Sequence, residues 1–272
     1  MPEIPEMEHY RTKLSELLCG HTIAGVAIKR PAAVNETPEA FGEALKGRVL
    51  LFVERRGKHL LFHLDDGYRL LLTLSADSWL YYGDEASGAD VHAHVVLTFD
   101  DGNALLFGDM KAAHLHRLTA KAAIEQMKQL GPDALDSRLT PEAFAKRLAG
   151  KKGKLKTTLA DQRIVSGIGN VYADEIAFAA RIHPATSAGS LSPERTEALY
   201  RAMRDVLAEA IEAGGYTVHP LIAGDESSGG YRQSRKVHDR AGEPCLSCGT
   251  PIRSETAAGR KMHFCPSCQG TA

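Results

Sequence analysis

Four cysteines near the end of the chain place the strongest constraint on its fold. Cys245 and Cys248 form one Cys-x2-Cys pair, and Cys265 and Cys268 form a second pair about 16 residues later. At this spacing, two turns can present four thiolates tetrahedrally around one zinc ion. Four thiolates leave no coordination position for water, so we expect one structural zinc ion that stabilises a short segment. The alternatives are two disulfides or four free thiols.

Length and composition indicate an ordinary globular protein. The 272 residues suffice for two modest domains, or for one domain with a metal-stabilised appendage. No apolar run approaches the roughly 20 residues of a membrane span, and the acidic opening MPEIPEME is unlike a secretory signal. We therefore expect a soluble protein of the bacterial cytosol or nucleoid, and nothing in the sequence requires more than a monomer.

Hydrophobic periodicity divides the chain into a β-rich half and a helical half. An amphipathic pattern from Ile4-Pro5 to Gly20 predicts a helix, and residues 21–118 alternate β-branched and aromatic segments with turn pairs. Beyond residue 120 the pattern is helical, with starts at Thr140-Pro141-Glu142 and Ser192-Pro193-Glu194. The predicted class is α+β, with a helix and β-sandwich, then a helical domain, then a zinc finger. The predicted boundaries are 1–120, 121–230 and 231–272.

A glycine-rich turn interrupts the helical half. In DQRIVSGIGNVYADEI, one helix is predicted to end near Gln162 and a second to begin about Asn170. If Asn170 caps that second helix, its exposed amides suit a phosphate, and Lys156 adds a charged donor upstream. The alternative is a plain helical turn. The net charge of −1 gives no overall attraction to nucleic acid, so DNA binding requires positive charge gathered on one face.

Together these motifs resemble the formamidopyrimidine-DNA glycosylase and endonuclease VIII family, and the likeness covers nearly the whole chain. MPEIPEME is similar to the family's opening motif, ERRGKHLLF to its lysine motif, and DQRIVSGIGNVYADEI to its helix-two-turn-helix signature. AGRKMHFCPSCQ is similar to its zinc finger. The resemblance implies an N-terminal β-sandwich, a helix-two-turn-helix domain with a zinc finger, and DNA bound in the cleft between them.

The resemblance also implies a catalytic set. After removal of Met1, the secondary amine of Pro2 would attack the sugar carbon, displace the base and form an iminium ion that permits strand cleavage. Glu3 would protonate the sugar oxygen or the leaving base, and Glu6 would orient the site. Lys58 would hold a phosphate or assist a second elimination. A retained Met1 would turn the Pro2 nitrogen into an amide and abolish this chemistry.

Residues implied to contact DNA are distributed over both halves of the chain. They are His92, Lys111, Lys156, Asn170, Tyr172 and Arg260.

The chain departs from the family at the side chains that fill the gap left by a flipped base. Family members usually insert methionine, arginine and phenylalanine, and this sequence aligns Ala76, Lys111 and Ala113 there. Either another side chain substitutes, or the substrate is already unstacked, as in abasic, mismatched or single-stranded DNA. The candidate substitutes are Trp79, Tyr81, Tyr82 and His114.

Three functions follow as hypotheses. The first is a DNA glycosylase with AP lyase activity in base excision repair, acting on damaged bases or abasic sites. The second is a non-catalytic damaged-DNA-binding protein of the same fold. The third is a chain whose zinc ribbon binds a protein partner and that does not bind DNA.

Overall fold

The structure is a computed structural model that describes residues 1–84, 93–217, 219–257 and 259–270. The chain forms two compact units. Unit 1 comprises Met1–Lys128 and Ala213–Gly230, and unit 2 comprises Gln129–Glu212 and Tyr231–Ala272. The three-part division expected from the sequence remains a prediction.

Unit 1 contains three helices and eight strands among its described residues. They are α1 (Ile4–Leu18), β1 (Ile23–Ile28), α2 (Pro38–Leu45), β2 (Leu50–Arg56), β3 (His59–Leu64), β4 (Tyr68–Thr73), β5 (Trp79–Gly83), β6 (Ala93–Phe99), β7 (Ala104–Gly108), β8 (His114–Thr119) and α3 (Ala120–Met127). The strands form two antiparallel sheets, with orders β1-β6-β7-β5 and β2-β3-β4-β8.

The two sheets share one hydrophobic core, which confirms the predicted β-sandwich. Side chains from both sheets and from α1 are buried in it, among them Leu14, Phe62, Leu97 and Phe107. Alternate strand residues point inward, so each sheet contributes one apolar face. Helix α2 was not predicted within this half, although Thr37 caps it by accepting a hydrogen bond from the Ala40 amide.

A segment that follows the helices of unit 2 in the sequence belongs to unit 1. Residues 213–230 follow the long helix in sequence, but Leu221 is fully buried in the core of the sandwich. The backbone oxygen of Leu221 accepts a hydrogen bond of 2.6 Å from the Tyr82 amide. This segment therefore packs with the N-terminal residues of the chain.

Unit 2 is helical and ends in a small hairpin. Its elements are α4 (Pro141–Leu148), α5 (Leu155–Leu159), α6 (Asn170–Ala179), α7 (Pro193–Glu212), α8 (Tyr231–Ser234), β9 (Arg253–Ala257), β10 (Arg260–Phe264) and α9 (Pro266–Gln269). The predicted starts of α4 and α7 are confirmed, and the Thr140 side chain caps α4 by accepting the Ala143 amide. Across the described part of the chain, no helix is both long and apolar enough to cross a membrane.

Candidate active site and zinc centre

The start of α1 fixes the residues around Pro2. Glu3 is the N-cap residue, its side chain accepts the Glu6 amide, and Glu6 Oε2 accepts the Glu3 amide at 2.7 Å. This reciprocal pair is a capping box, and Pro5 fits the first turn because it needs no amide donor there. Pro2 is buried immediately before this cap. The sequence thus holds Pro2 and Glu3 in one defined backbone conformation.

The second carboxylate oxygen of Glu6 joins α1 to the returning segment 213–230. Glu6 Oε1 accepts the Tyr216 amide at 2.6 Å, and the Glu6 residue is only 4% exposed. Gly215 precedes this contact with φ +77°, and a Cβ atom there would lie 2.5 Å from Glu6 Oε1. Both oxygens of Glu6 therefore bind backbone amides, which supports the predicted orienting role.

Burial of the amino terminus favours a neutral amine. Burial lowers the pKa of the Met1 amino group below its ordinary value, and the nearby charge of Lys58 lowers it further. The carboxylates of Glu3, Glu6 and Asp77 oppose this shift without cancelling it. A lower pKa leaves a larger neutral fraction at pH 7, and only a neutral amine is nucleophilic. Asp77 was not identified from the sequence, because no local pattern marks it.

Lys58 lies in the tight turn between β2 and β3, next to the predicted set. Gly57 has φ +57°, which favours glycine at this position. The Arg55 guanidinium braces the turn by donating to the Gly57 oxygen at 3.1 Å and to Glu8 Oε2 at 2.6 Å. Arg55 and Glu8 were not predicted from the sequence, because their pairing joins residues 47 positions apart.

Among the described residues, the positions aligned with the DNA-inserting side chains carry no wedge, that is, no bulky side chain that could fill the gap left by a flipped base. Ala76 is exposed but has only a methyl group, Ala113 is 2% exposed, and the Lys111 side chain is 76% exposed. Lys111 therefore remains a candidate for a phosphate contact. His92, another predicted DNA contact, lies outside the described residues.

Two of the suggested substitutes are excluded by burial. Trp79 packs over Gly108 inside unit 1, and the Tyr82 hydroxyl donates to Asp101 Oδ2 at 2.8 Å. The suggestion that either ring enters DNA is therefore wrong. His114 is half-buried and stacks on His116 with ring centroids 4.7 Å apart.

The four predicted zinc ligands converge in unit 2. All four sulfur atoms lie within 4.8 Å of one another, with Sγ distances of 3.9 Å between Cys245 and Cys268 and 3.5 Å between Cys248 and Cys265. Tetrahedral zinc with Zn–S bonds of about 2.3 Å requires sulfur separations of about 3.8 Å. The thiolates therefore fit one structural zinc ion, as predicted. The ion would brace the β9–β10 hairpin between the two cysteine pairs.

The hairpin brings Arg260 to the first turn of α6. Arg260 Nη1 donates to Asn170 Oδ1 at 3.1 Å, and both residues are exposed. Gly169 is the N-cap residue and Asn170 is the first helical residue, so the prediction that Asn170 caps the helix is wrong by one position. The Asn170 side chain instead joins the arginine in one exposed polar pair.

Two other predicted DNA contacts are buried. Lys156 is fully buried, with its ammonium 2.8 Å from Asp174 Oδ2, so the prediction that it contacts a phosphate directly is wrong. The Tyr172 side chain is also fully buried and packs against Tyr231, which excludes a side-chain contact with DNA. Sequence alone missed this because a lysine near a basic run usually faces solvent.

Charge differs sharply between the two units. Unit 1 has 14 lysines and arginines against 20 aspartates and glutamates, which gives a net charge of −6. Unit 2 has 19 against 14, which gives +5. The overall net charge of −1 is therefore the sum of an acidic unit and a basic unit, and a basic unit attracts the phosphate backbone of nucleic acid.

Three family models match successive parts of the chain. The model for the formamidopyrimidine-DNA glycosylase N-terminal domain matches residues 1–114, and the model for its H2TH domain matches 130–220. A zinc finger found in FPG and IleRS matches residues 242–270. A formamidopyrimidine-DNA glycosylase of Symbiobacterium thermophilum is 40% identical over 99% of this chain and 89% of its own length.

Solved structures give the same result. The MutM (Fpg) protein of Thermus thermophilus matches with a TM-score of 0.87 and 36% identity, over 100% of both chains. A Lactococcus lactis Fpg mutant, solved with Fapy-dG-containing DNA, matches with a TM-score of 0.92 and 28% identity, over 99% of this chain and 100% of that one.

The sandwich, the H2TH helices and the zinc finger define a bifunctional DNA glycosylase of base excision repair, with AP lyase activity. The chain belongs to the formamidopyrimidine-DNA glycosylase family.

The zinc centre predicts a specific loss of metal. Cys248→Ser removes one of four thiolate ligands, so we expect the purified protein to lose most of its roughly one equivalent of zinc. Cys19→Ser is the matched control, because Cys19 lies in unit 1 and should leave the zinc content unchanged. Elemental analysis measures both; full zinc retention in Cys248→Ser would contradict the assignment.

The Glu6–Gly215 contact predicts that two similar glycines respond differently to substitution. Gly224 has φ +73° with nothing within 4 Å of a Cβ atom, so Gly224→Ala should cost only about 1–2 kcal/mol, as expected for a left-handed alanine. Gly215→Ala should cost about 1.5–3 kcal/mol more, because its methyl group displaces Glu6 from a charged hydrogen bond. Urea unfolding followed by the fluorescence of Trp79, the single tryptophan, measures both. Equal losses would show that the contact is unimportant.

Proposed function

We propose that this chain excises damaged bases and cleaves abasic sites with the imino nitrogen of Pro2 as its nucleophile, once Met1 has been removed. The observation that carries the proposal is the burial of the amino terminus beside Glu3, Glu6 and Lys58: burial, helped by the charge of Lys58, lowers the pKa of the Met1 amino group. Removal of Met1 would leave the secondary amine of Pro2 beside the same groups.

The residues around Pro2 supply the groups that the proposed reaction needs. The nitrogen lone pair attacks C1′ of the sugar, the bond from C1′ to the base breaks, and the base leaves with a proton. Glu3 lies next to the nucleophile and is the candidate to deliver that proton. The nitrogen then loses its proton, the C1′–O4′ bond breaks as O4′ takes up a proton, and the nitrogen forms a double bond to C1′ as an iminium ion. This ion acidifies C2′, and loss of a C2′ proton to solvent breaks the C3′–O bond and expels the 3′ phosphate. Water then hydrolyses the iminium ion and restores the amine.

Glu6 and Lys58 would support these steps in different ways. Glu6 uses both oxygens to bind backbone amides, so its contribution is to hold Pro2 and Glu3 in place. Lys58 contributes a positive charge that adds to burial in lowering the amine pKa and attracts a phosphate next to the reacting sugar. The zinc ion has no part in the steps, because its four thiolates only stabilise the finger.

Phosphate binding in unit 2 is assigned to Asn170 and Arg260. Their side chains meet at 3.1 Å on the exposed start of α6, where the amides of the first turn and the positive end of the helix dipole favour an anion. The net charge of +5 on unit 2 supports this placement. Lys111 and His92 remain proposed contacts on unit 1.

The substrate proposed for this chain is DNA whose target position is already unpaired, or is abasic. The support is the pair of alanines at the wedge positions, since extraction of a stacked base costs a few kcal/mol that an inserted side chain normally offsets. Such work would take place in the cytoplasm, on chromosomal DNA.

Borohydride trapping tests the nucleophile and the substrate together. Incubation with oligonucleotides carrying an abasic site should yield a covalent complex, and Pro2→Gly should lose most of it. The abasic site should be trapped at a comparable rate in single-stranded and duplex DNA, because no wedge is needed. Unchanged trapping by Pro2→Gly would refute the nucleophile, and DNA binding without scission would favour the non-catalytic alternative.

The charge of Lys58 predicts a shift in the pH dependence of trapping. A protonated amine cannot attack, so the rate should rise with pH through the amine pKa, at a midpoint below the ordinary value of about 8. Lys58 helps to lower this pKa, so Lys58→Met should move the midpoint to higher pH. Lys121→Met, an exposed lysine on α3, should not. An identical midpoint in all three proteins would contradict the electrostatic account.

A further inference from the structure

A buried cluster in unit 2 joins helices α5 and α6 to the zinc-finger hairpin, which is formed by β9 and β10. Asp174 Oδ2 receives three hydrogen bonds, from Lys156 Nζ at 2.8 Å, His238 Nδ1 at 2.8 Å and His263 Nδ1 at 3.1 Å. A carboxylate can only accept, so both imidazoles donate through Nδ1. Lys156 and Asp174 are fully buried, and His263 is 1% exposed.

The members of this cluster come from three separate elements and one loop. Lys156 belongs to α5 and Asp174 to α6, His238 follows α8, and His263 belongs to β10. The Lys156 ammonium also donates to the backbone oxygen of Lys261 on β10, the residue next to Arg260. The lysine therefore binds a helix carboxylate and a hairpin carbonyl with one charged group.

The cluster lies one helical turn along α6 from the exposed Asn170–Arg260 pair. Asn170 and Asp174 are four residues apart on α6 and so share one face of that helix. On the hairpin, Arg260 and Lys261 are adjacent. Helix α6 and β10 thus meet twice, through the exposed Asn170–Arg260 hydrogen bond and through the buried cluster.

Stability alone is a poor explanation for this arrangement. A buried ion pair loses the hydration of two charges and is often no more stable than well-packed apolar side chains, whereas it imposes one specific geometry on the groups it joins. Three side chains of the cluster resemble a metal site, since the ligand atoms of Asp174, His238 and His263 lie within 4.8 Å of one another. The Lys156 ammonium already supplies the cation beside Asp174.

We propose that Lys156 and Asp174 are positioning residues that hold the zinc-finger hairpin in place on α6, so that Arg260 and Asn170 bind the same DNA phosphate. This inference rests on the proposed phosphate contact of Asn170 and Arg260. Lys156 reaches no phosphate itself, since its side chain is fully buried. Its effect on DNA binding passes through the position of Arg260.

A double-mutant cycle on DNA affinity tests this inference. The probe is a duplex with a stable abasic-site analogue, and the dissociation constant is measured by fluorescence anisotropy over a series of salt concentrations. Arg260→Ala should weaken binding about tenfold and reduce the salt slope by about one, as loss of a phosphate contact requires. Lys156→Met should do the same, although no exposed charge is removed.

The double variant distinguishes positioning from a general loss of structure. If Lys156 acts through Arg260, Lys156→Met should add less than about twofold to the defect of Arg260→Ala. Equal, additive losses in both backgrounds would overturn the inference and leave the proposed DNA binding intact. No weakening by Arg260→Ala would instead refute the proposed phosphate contact, and the positioning role with it.

Two further variants guard against misfolding. Lys156→Met deprives the buried Asp174 carboxylate of its ammonium partner, so Lys156→Met/Asp174→Asn removes both charges and should fold while keeping the reduced salt slope. Arg204→Met is the matched control, because Arg204 also donates to backbone oxygens, those of Ala134 and Asp136, neither of which belongs to α6 or β10. It should retain the wild-type salt slope. A wild-type slope in the neutralised pair, with normal zinc content, would overturn the proposal.

Discussion

The carboxylate of Glu6 is the interaction on which the catalytic unit depends. One oxygen closes the cap of α1 over Pro2 and Glu3, and the other binds the Tyr216 amide, 210 residues away in sequence. A charged acceptor shared between two backbone amides is strong and directional, so it fixes the amino terminus relative to the segment 213–230. The left-handed Gly215 is what permits this approach. Pro2, Glu3 and the returning segment are thus held by one side chain.

In unit 2 the position of an exposed residue, Arg260, depends on different interactions. A short hairpin has too little apolar surface to hold its own shape, and four thiolates around zinc provide that shape. Zinc does not determine where the hairpin sits on the helices; the Lys156–Asp174 cluster makes that connection from inside. Metal and ion pair together place Arg260 beside Asn170, and the surplus positive charge of this unit supplies the attraction for DNA.

Local signals were readable from the sequence, and distant pairings were not. Helix α1, the strand alternation, the starts of α4 and α7 and the four cysteines all depend on neighbouring residues, and each prediction is confirmed. Helix α2 was missed although Thr37-Pro38-Glu39 carries the same start signal as Thr140-Pro141-Glu142. The burial of Lys156 and the return of Leu221 to the sandwich depend on partners far away in the chain, which no local pattern reports.

The central claim is that a free secondary amine at the start of the mature chain forms the covalent bond to DNA. The most direct measurement is mass spectrometry of the N-terminal peptide after borohydride reduction of the protein bound to abasic DNA. The account predicts a peptide that begins at Pro2 and carries the sugar remnant on its nitrogen. A peptide that still begins with Met1, or an adduct located on Lys58, would contradict it.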